Sequence, residues 1–320
     1  MFSGCSHMTI APDLTLGLHN IRFKDIERFV ETDFYLHYMF SGCSSITEIP
    51  ADFWPTGLIG NVDTQEMFAN CTNLTKVNGI VIGEADTDFV DEMYGRQTKM
   101  FINCEKLKLD HRLFYRGRFY ASCFSGCTSI TEIPDNFFDH VTTIGYDSFD
   151  NCFEGCTSLT KIPDKIFYNI KLLNQGASFA SCFEGCTSLK KIPNDVFNYG
   201  VELGSLASPQ FGNMFKNCAS LTEINNSLFR FNYVHYDGTF THCDEMFTGC
   251  TGLKNIPEDL FTMSGALCSF SALFSGCTGL TSIPNKLFYN KNYMTCISMF
   301  AGCTGLTSLP ENMFNGCRNI

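Results

Sequence analysis

A short phrase recurs along the whole chain: an apolar residue, Phe, any residue, Gly or Asn, Cys, two residues, then a large aliphatic. Self-similarity of this kind marks a stacked array, whose units bury their apolar faces only against one another. The anchoring cysteines are Cys5, Cys43, Cys71, Cys104, Cys127, Cys156, Cys186, Cys218, Cys250, Cys277 and Cys303, separated by 38, 28, 33, 23, 29, 30, 32, 32, 27 and 26 residues. With each taken as position 0, Phe stands at −3 in every copy, Phe153, Phe183 and Phe215 among them. Position +3 is a large aliphatic, from Met8 to Leu306. Position +7 is Pro in eight copies, and a second Phe at +11 follows in six of them: Phe138, Phe167, Phe197, Phe261, Phe288 and Phe314. Trp54, the only Trp, takes that place after Pro50.

Position −1 holds only Gly or Asn: Gly4, Gly42, Asn70, Asn103, Gly126, Gly155, Gly185, Asn217, Gly249, Gly276 and Gly302. These two residues enter the left-handed region most readily. The phrase therefore predicts one helical turn stopped by a residue at positive φ. The next piece, Leu-Thr-x-Ile, alternates inward apolar and outward polar groups and predicts a very short strand. Pro then removes a ladder donor and ends it. Stacked repeats would place these strands in a parallel ladder about 4.8 Å apart.

The pattern resembles the BspA-like leucine-rich repeats, particularly the M-F-x-x-C-x-S-L-x-x-L variety. Met299-Phe300-Ala301-Gly302-Cys303-Thr304-Gly305-Leu306 is a close copy. Such repeats occur in secreted and cell-surface proteins of bacteria and some protists. The resemblance implies an α/β repeat solenoid, a right-handed superhelix with short parallel strands. It forms one domain over 1–320, with about eleven repeats, irregular over 1–126 and regular over 127–320. The copy after Cys71 has Asn78 in place of Pro, and the copy after Cys104 is short.

Hydrophobic residues make up 44% of the chain and charged residues 17%, enough apolar material for a core. The net charge of −11, from 33 acidic and 22 basic residues, opposes nucleic-acid and anionic-membrane binding, which need clustered Lys and Arg. No apolar run is long enough for a membrane-spanning helix, so no membrane insertion is expected, and a monomer is. Met1-Phe2-Ser3-Gly4-Cys5 lies in mid-repeat. That predicts a natural protein extending upstream, with its export signal outside this numbering and an extracellular or cell-surface location.

Eighteen cysteines suggest disulfides or zinc by composition. Their positions suggest packing instead. Eleven are anchors, Cys156, Cys186 and Cys218 among them, and Cys123, Cys152 and Cys182 replace the Met before Phe. Cys243 and Cys296 lie at −7, where an inward residue is expected, while Cys268 and Cys317 have no clear place. Free Cys packs as a small hydrophobe, and a ladder thiol can bond backbone. Stacked thiols point the same way, which suits a disulfide poorly. The three C-x-x-x-C pairs lack a partner pair or a matching His, so no metal and no cofactor is expected.

Outward strand positions read Thr131-Glu132, Thr160-Lys161, Lys190-Lys191 and Thr222-Glu223. Opposite charges would stack across this ladder, which is the expected binding face for an unidentified protein or glycan. Other features have bland readings beside sharper ones. The Asp13–Tyr38 insertion is an elaboration or a lid. Trp54 is core or a sugar platform. The acidic run from Glu84 to Glu92 is a solvated loop or a calcium site. Arg112, Arg116 and Arg118 form a surface patch, and His235, His242 and Cys243 are scattered or a metal corner. No hydrolase, metalloprotease or nucleotide-binding motif is present, and residues repeated in register do not make the single asymmetric cluster that catalysis needs. The sequence thus predicts a non-catalytic surface or secreted module engaging host protein, matrix or glycan. The alternative is a spacer with no ligand of its own.

Overall fold

The computed structural model describes residues 3–7, 34–51, 53, 62–79, 97–114, 117, 119–144, 146–173, 176–197, 202–203, 209–225, 228, 240–258, 260–261, 267–289 and 293–317. Trp54, the acidic run from Glu84, Arg116, Arg118, His235 and most of the Asp13–Tyr38 insertion lie outside them. The described chain is built of two- and three-residue strands joined by turns. These are β1 (Phe34–Tyr35), β2 (Glu48–Ile49), β3 (Val62–Asp63), β4 (Lys76–Val77), β5 (Thr143–Ile144), β6 (Leu172–Leu173), β7 (Glu202–Leu203), β8 (Phe240–His242), β9 (Leu267–Ser269) and β10 (Tyr293–Thr295). All pairings between them are parallel, in the orders β1-β3, β2-β4, β5-β6-β7 and β10-β9-β8.

No helix occurs among the described residues, so the α half of the expected α/β class is corrected. The backbone donors explain why. In the coil anchored by Cys186, the N–H groups of Ser181, Phe183 and Gly185 donate to the carbonyls of Gly212, Met214 and Lys216 in the next coil, at 2.9, 2.9 and 2.8 Å. The alternate donors, on Cys182, Glu184 and Cys186, close turns onto Phe179, Ser181 and Phe183 at 3.1, 3.0 and 3.2 Å. Every second donor is spent between coils, so an i→i−4 helix never forms. The same alternation recurs in the coils anchored by Cys156 and Cys277. In all of them the N–H groups of one coil point to the carbonyls of the following coil.

Left-handed backbone frames this turn. All eleven residues at −1 have φ between 58° and 75°. A second left-handed position stands four residues earlier: Tyr38, Glu66, Lys99, Ser122, Asn151, Ser181, Asn213, Glu245, Ala272 and Ser298, with φ between 52° and 57°. None of these is Gly. The strain of about 1–2 kcal/mol per residue is offset where the same N–H bonds the next coil.

The core consists of vertical columns. Ten rings at −3, from Phe40 to Phe300, form one continuous stack with neighbouring centroids 5.2 to 5.8 Å apart and planes within 10° of parallel. Those separations fall within the favourable range for offset aromatic pairs. Beside the rings runs a column of thiols. Nine anchors, Cys71 to Cys303, donate Sγ–H to the carbonyl of the preceding coil's Phe at 2.9 to 3.3 Å. All eighteen cysteines are free thiols, and Cys5 is the exposed one among them. The two without a clear place in the pattern now have one. Cys268 is buried on β9, and the Cys317 thiol donates to the Phe288 carbonyl at 2.9 Å.

Two further inward columns, among others, contribute to the core. Position +10 carries Phe53, Phe137, Ile166, Val196, Leu228, Leu260, Leu287 and Met313, all buried. Position −7 carries Tyr120, Phe149, Phe179 and Phe211, stacked at 5.4 to 5.6 Å. In the irregular first third the same column holds Thr64 and Gln97, buried with unpartnered side-chain oxygen and amide atoms.

The strand expected at Leu-Thr-x-Ile is present but thinner than predicted. It forms the β2-β4 pair, and in later copies it contracts to single bridges, Glu132↔Lys161 and Lys191↔Glu223. The three-stranded ladders lie on the return segments instead, which vary in sequence.

Candidate functional site

The expected binding face is built by positions +4 and +5 of successive coils. Apolar +3 and +6 residues are buried on either side, which turns +4 and +5 outward. Thr131, Glu132, Thr160, Lys161, Lys190, Lys191, Thr222 and Glu223 are all exposed and stand in two columns. The threonines are partly engaged. Thr160 Oγ1 donates to the Thr131 carbonyl at 3.1 Å, and Thr222 Oγ1 to the Lys190 carbonyl at 3.2 Å. They close the ladder from outside, leaving Glu132, Lys161, Lys190, Lys191 and Glu223 as the charged groups presented.

Opposite charges stand in register across the ladder, as expected, but form no ion pair with one another. Glu132 pairs with Lys161 and Lys191 with Glu223 through backbone alone. The four ion pairs among the described residues are His37–Asp63, Lys99–Glu66, His111–Asp110 and Lys216–Glu245. Exposed Lys and Glu gain little from pairing and lose side-chain entropy by it, so they extend into water.

A cleft of about 210 Å³ opens on this face. Lys191 and Glu223 flank it at +5, and Asp164 and Asn194 supply polar groups from +8. Asn225 and the buried Ile192, Pro193 and Ile224 complete its lining. Asn225 stands at +7, where Pro163, Pro193 and Pro257 stand in neighbouring copies. Repeat logic pointed to Lys191 and Glu223 but passed over Asp164, Asn194 and Asn225. The missing Pro was the one available signal.

Titratable groups off this face serve the fold. Burial raises the Asp150 carboxyl to about 6, against the hydrogen bond from Ser178. Its Oδ1 also takes the Ala180 N–H at 3.1 Å. Burial, with Arg112 adding to it, lowers His140 to about 3, so its neutral Nε2 meets the Tyr120 hydroxyl at 2.6 Å. Burial likewise pushes the Cys71, Cys218 and Cys277 thiols up to about 12. Such thiols are donors and packing groups, not nucleophiles. Among the described residues no three His, Cys, Asp or Glu side chains converge as metal ligands, and no helix is long and apolar enough to cross a membrane.

The repeat geometry has a counterpart among known families. The model of the BspA type leucine rich repeat region matches residues 117–261 and 212–320, in six copies. The chain belongs to this family. In BspA-type terms, the matched span covers the regular coils, the charged columns and the cleft. Two solved structures are similar to this BspA-type chain. One is a leucine-rich repeat protein from Bacteroides ovatus ATCC 8483, 18% identical with a TM-score of 0.40, covering 100% of this chain and 80% of that one. The other is a leucine rich cell surface protein from Faecalibacterium prausnitzii A2-165, 17% identical with a TM-score of 0.33, covering 88% and 79% respectively. No curated protein matches the BspA-type chain.

Proposed function

We propose that this chain is a non-catalytic, secreted or cell-surface binding module that engages host protein, matrix or glycan through its charged columns. Its coils continue one right-handed solenoid over 1–320, acting as a monomeric domain. Membership of a family found in surface and secreted proteins supports the location. The observation that carries the binding reading is the register of Glu132, Lys161, Lys191 and Glu223. They are exposed and aligned by backbone bridges, and they form no ion pairs with one another. Charges held in rows yet unpaired are available to a partner, where electrostatic complementarity supplies specificity and on-rate.

The test is a binding screen of the purified chain against immobilised matrix proteins and a glycan array. It is repeated with the four-fold reversal Glu132→Lys, Lys161→Glu, Lys191→Glu, Glu223→Lys, which leaves net charge unchanged. Binding weakened at least ten-fold by the reversal is expected. A chain that binds nothing, or a variant that binds as well, overturns the reading and leaves the spacer.

A further inference from the structure

We propose that Cys296 and Cys317 form an oxidisable dithiol, whose conversion to a disulfide clasps the turn at 310–317 to the coil anchored by Cys303. This is a site of covalent modification, and it stands apart from the charged columns.

The first observation is access. Fifteen of the eighteen thiols are buried, Cys5 is exposed, and Cys296 and Cys317 are half-buried. Thiol oxidation follows access to reagent, so the inner columns are protected and this pair is not.

The second is register. A ring at −7 packs between the +11 rings of two successive coils. Phe149 lies 5.0 Å from Phe138 and 4.8 Å from Phe167, and Phe270 lies 4.7 Å from Phe261 and 5.3 Å from Phe288. β10 pairs with β9 in a register that sets Cys296 one coil beyond Phe270. Phe314 stands one coil beyond Phe288, with the two rings stacked at 5.9 Å. Cys296 therefore takes the −7 place beside Phe288 and Phe314. The Cys317 thiol comes to the same residue from the turn, donating to the Phe288 carbonyl at 2.9 Å. Burial raises the Cys296 thiol, and Cys317 adds to it, so the two groups lie within electrostatic reach.

The third is room. A thiol at −7 is far smaller than the ring that Phe270 puts there, which leaves space for the turn to close on it. The turn is held by its own bonds, from the N–H groups of Met313, Asn315 and Cys317 to the carbonyls of Pro310, Asn312 and Phe314 at 3.4, 3.0 and 3.1 Å. It can therefore shift as a unit. The two thiols also come from different columns, so they escape the shared orientation that makes stacked anchors poor disulfide partners.

The oxidant is a small disulfide of an oxidising exterior, such as oxidised glutathione. One thiolate of the pair attacks its S–S bond, forming a mixed disulfide and releasing one glutathione thiolate. The second protein thiolate attacks the protein sulfur of that mixed disulfide. The Cys296–Cys317 bond forms and the second glutathione leaves. The protein loses two thiol protons and two electrons, and the electrons end on the two released glutathiones.

The test uses the chain carrying Cys5→Ser, which removes the exposed thiol. The folded protein is incubated with oxidised glutathione, quenched in acid, and its thiols counted in denaturant. Two of the seventeen remaining thiols should be lost, with a mass decrease of two hydrogens. A non-reducing digest should join the peptides bearing Cys296 and Cys317, and a reductant should part them. Adding Cys317→Ser should abolish the intramolecular link. Should that variant fail to fold, Cys296→Ser serves in its place. A chain that keeps its thiols overturns the clasp. So does glutathione left on either cysteine without the link, or a link that persists in the folded second variant.

Discussion

Two left-handed residues bracket each Met-Phe-x-Gly turn, and they were unequally visible. Position −1 was legible because only Gly and Asn occur there, and both tolerate positive φ. Position −5 was not, because Tyr, Glu, Lys, Ser, Asn and Ala all occupy it at nearly the same φ. Its conformation is imposed by the bond its N–H makes to the next coil, as from Ala272 to the Ile297 carbonyl at 2.8 Å. The two positions should respond oppositely to mutation. Ala272→Gly relieves strain and is expected to stabilise by about 0.5–1 kcal/mol. Gly185→Val adds strain and should destabilise more than Gly185→Asn. Urea midpoints measure both. Destabilisation by Ala272→Gly, or equal loss from Val and Asn at 185, contradicts this account.

The stacked coil turn, more than any strand, is the unit that organises the core. Phe183 lies fully buried between Phe153 and Phe215, with ring centroids 5.5 and 5.6 Å away. Phe183→Ala removes both contacts and leaves a void between two coils that backbone bonds hold in place. A loss of about 3–5 kcal/mol in denaturant stability is expected, and an unchanged midpoint would show that the ring column is not structural. The predicted strand is present but shorter than expected, for an identifiable reason. Leu-Thr-x-Ile has the right alternation, yet Pro at +7 cuts the ladder after one or two residues. The segments of β8, β9 and β10 carry no Pro and pair over three residues.

Across the whole stack the thiols act together. Cys71, Cys218 and Cys277 ordinarily titrate near 9.0 and are held at about 12 by burial. Below pH 9 they are protonated in both folded and unfolded chains and add no pH dependence. Between pH 9 and 12 the unfolded chain releases protons that the folded chain keeps, so stability falls as pH rises. With the other buried anchors raised in the same direction, the fall should be steep. Melting temperature followed from pH 8 to 11 should drop sharply above 9, and most of the thiolate absorbance should appear only on unfolding, apart from the exposed Cys5. A flat profile, or the full thiolate signal in the folded protein, would refute the buried column.

Much was readable from the residues alone: the stacking, the Phe and Cys columns, the left-handed −1 turn and the outward rows. Each rests on one residue type recurring at one offset, which is itself a statement about neighbours in space. The second left-handed position, the donors shared between turn and next coil, and the polar break in the first-third core at Thr64 and Gln97 depend instead on which backbone group the adjoining coil presents. The cleft belongs to that second group as well. Asn225 reads as one exception in a column until Lys191, Asp164 and Asn194 from other coils surround it, because distance along the chain carries no information about which side chains a stack brings together.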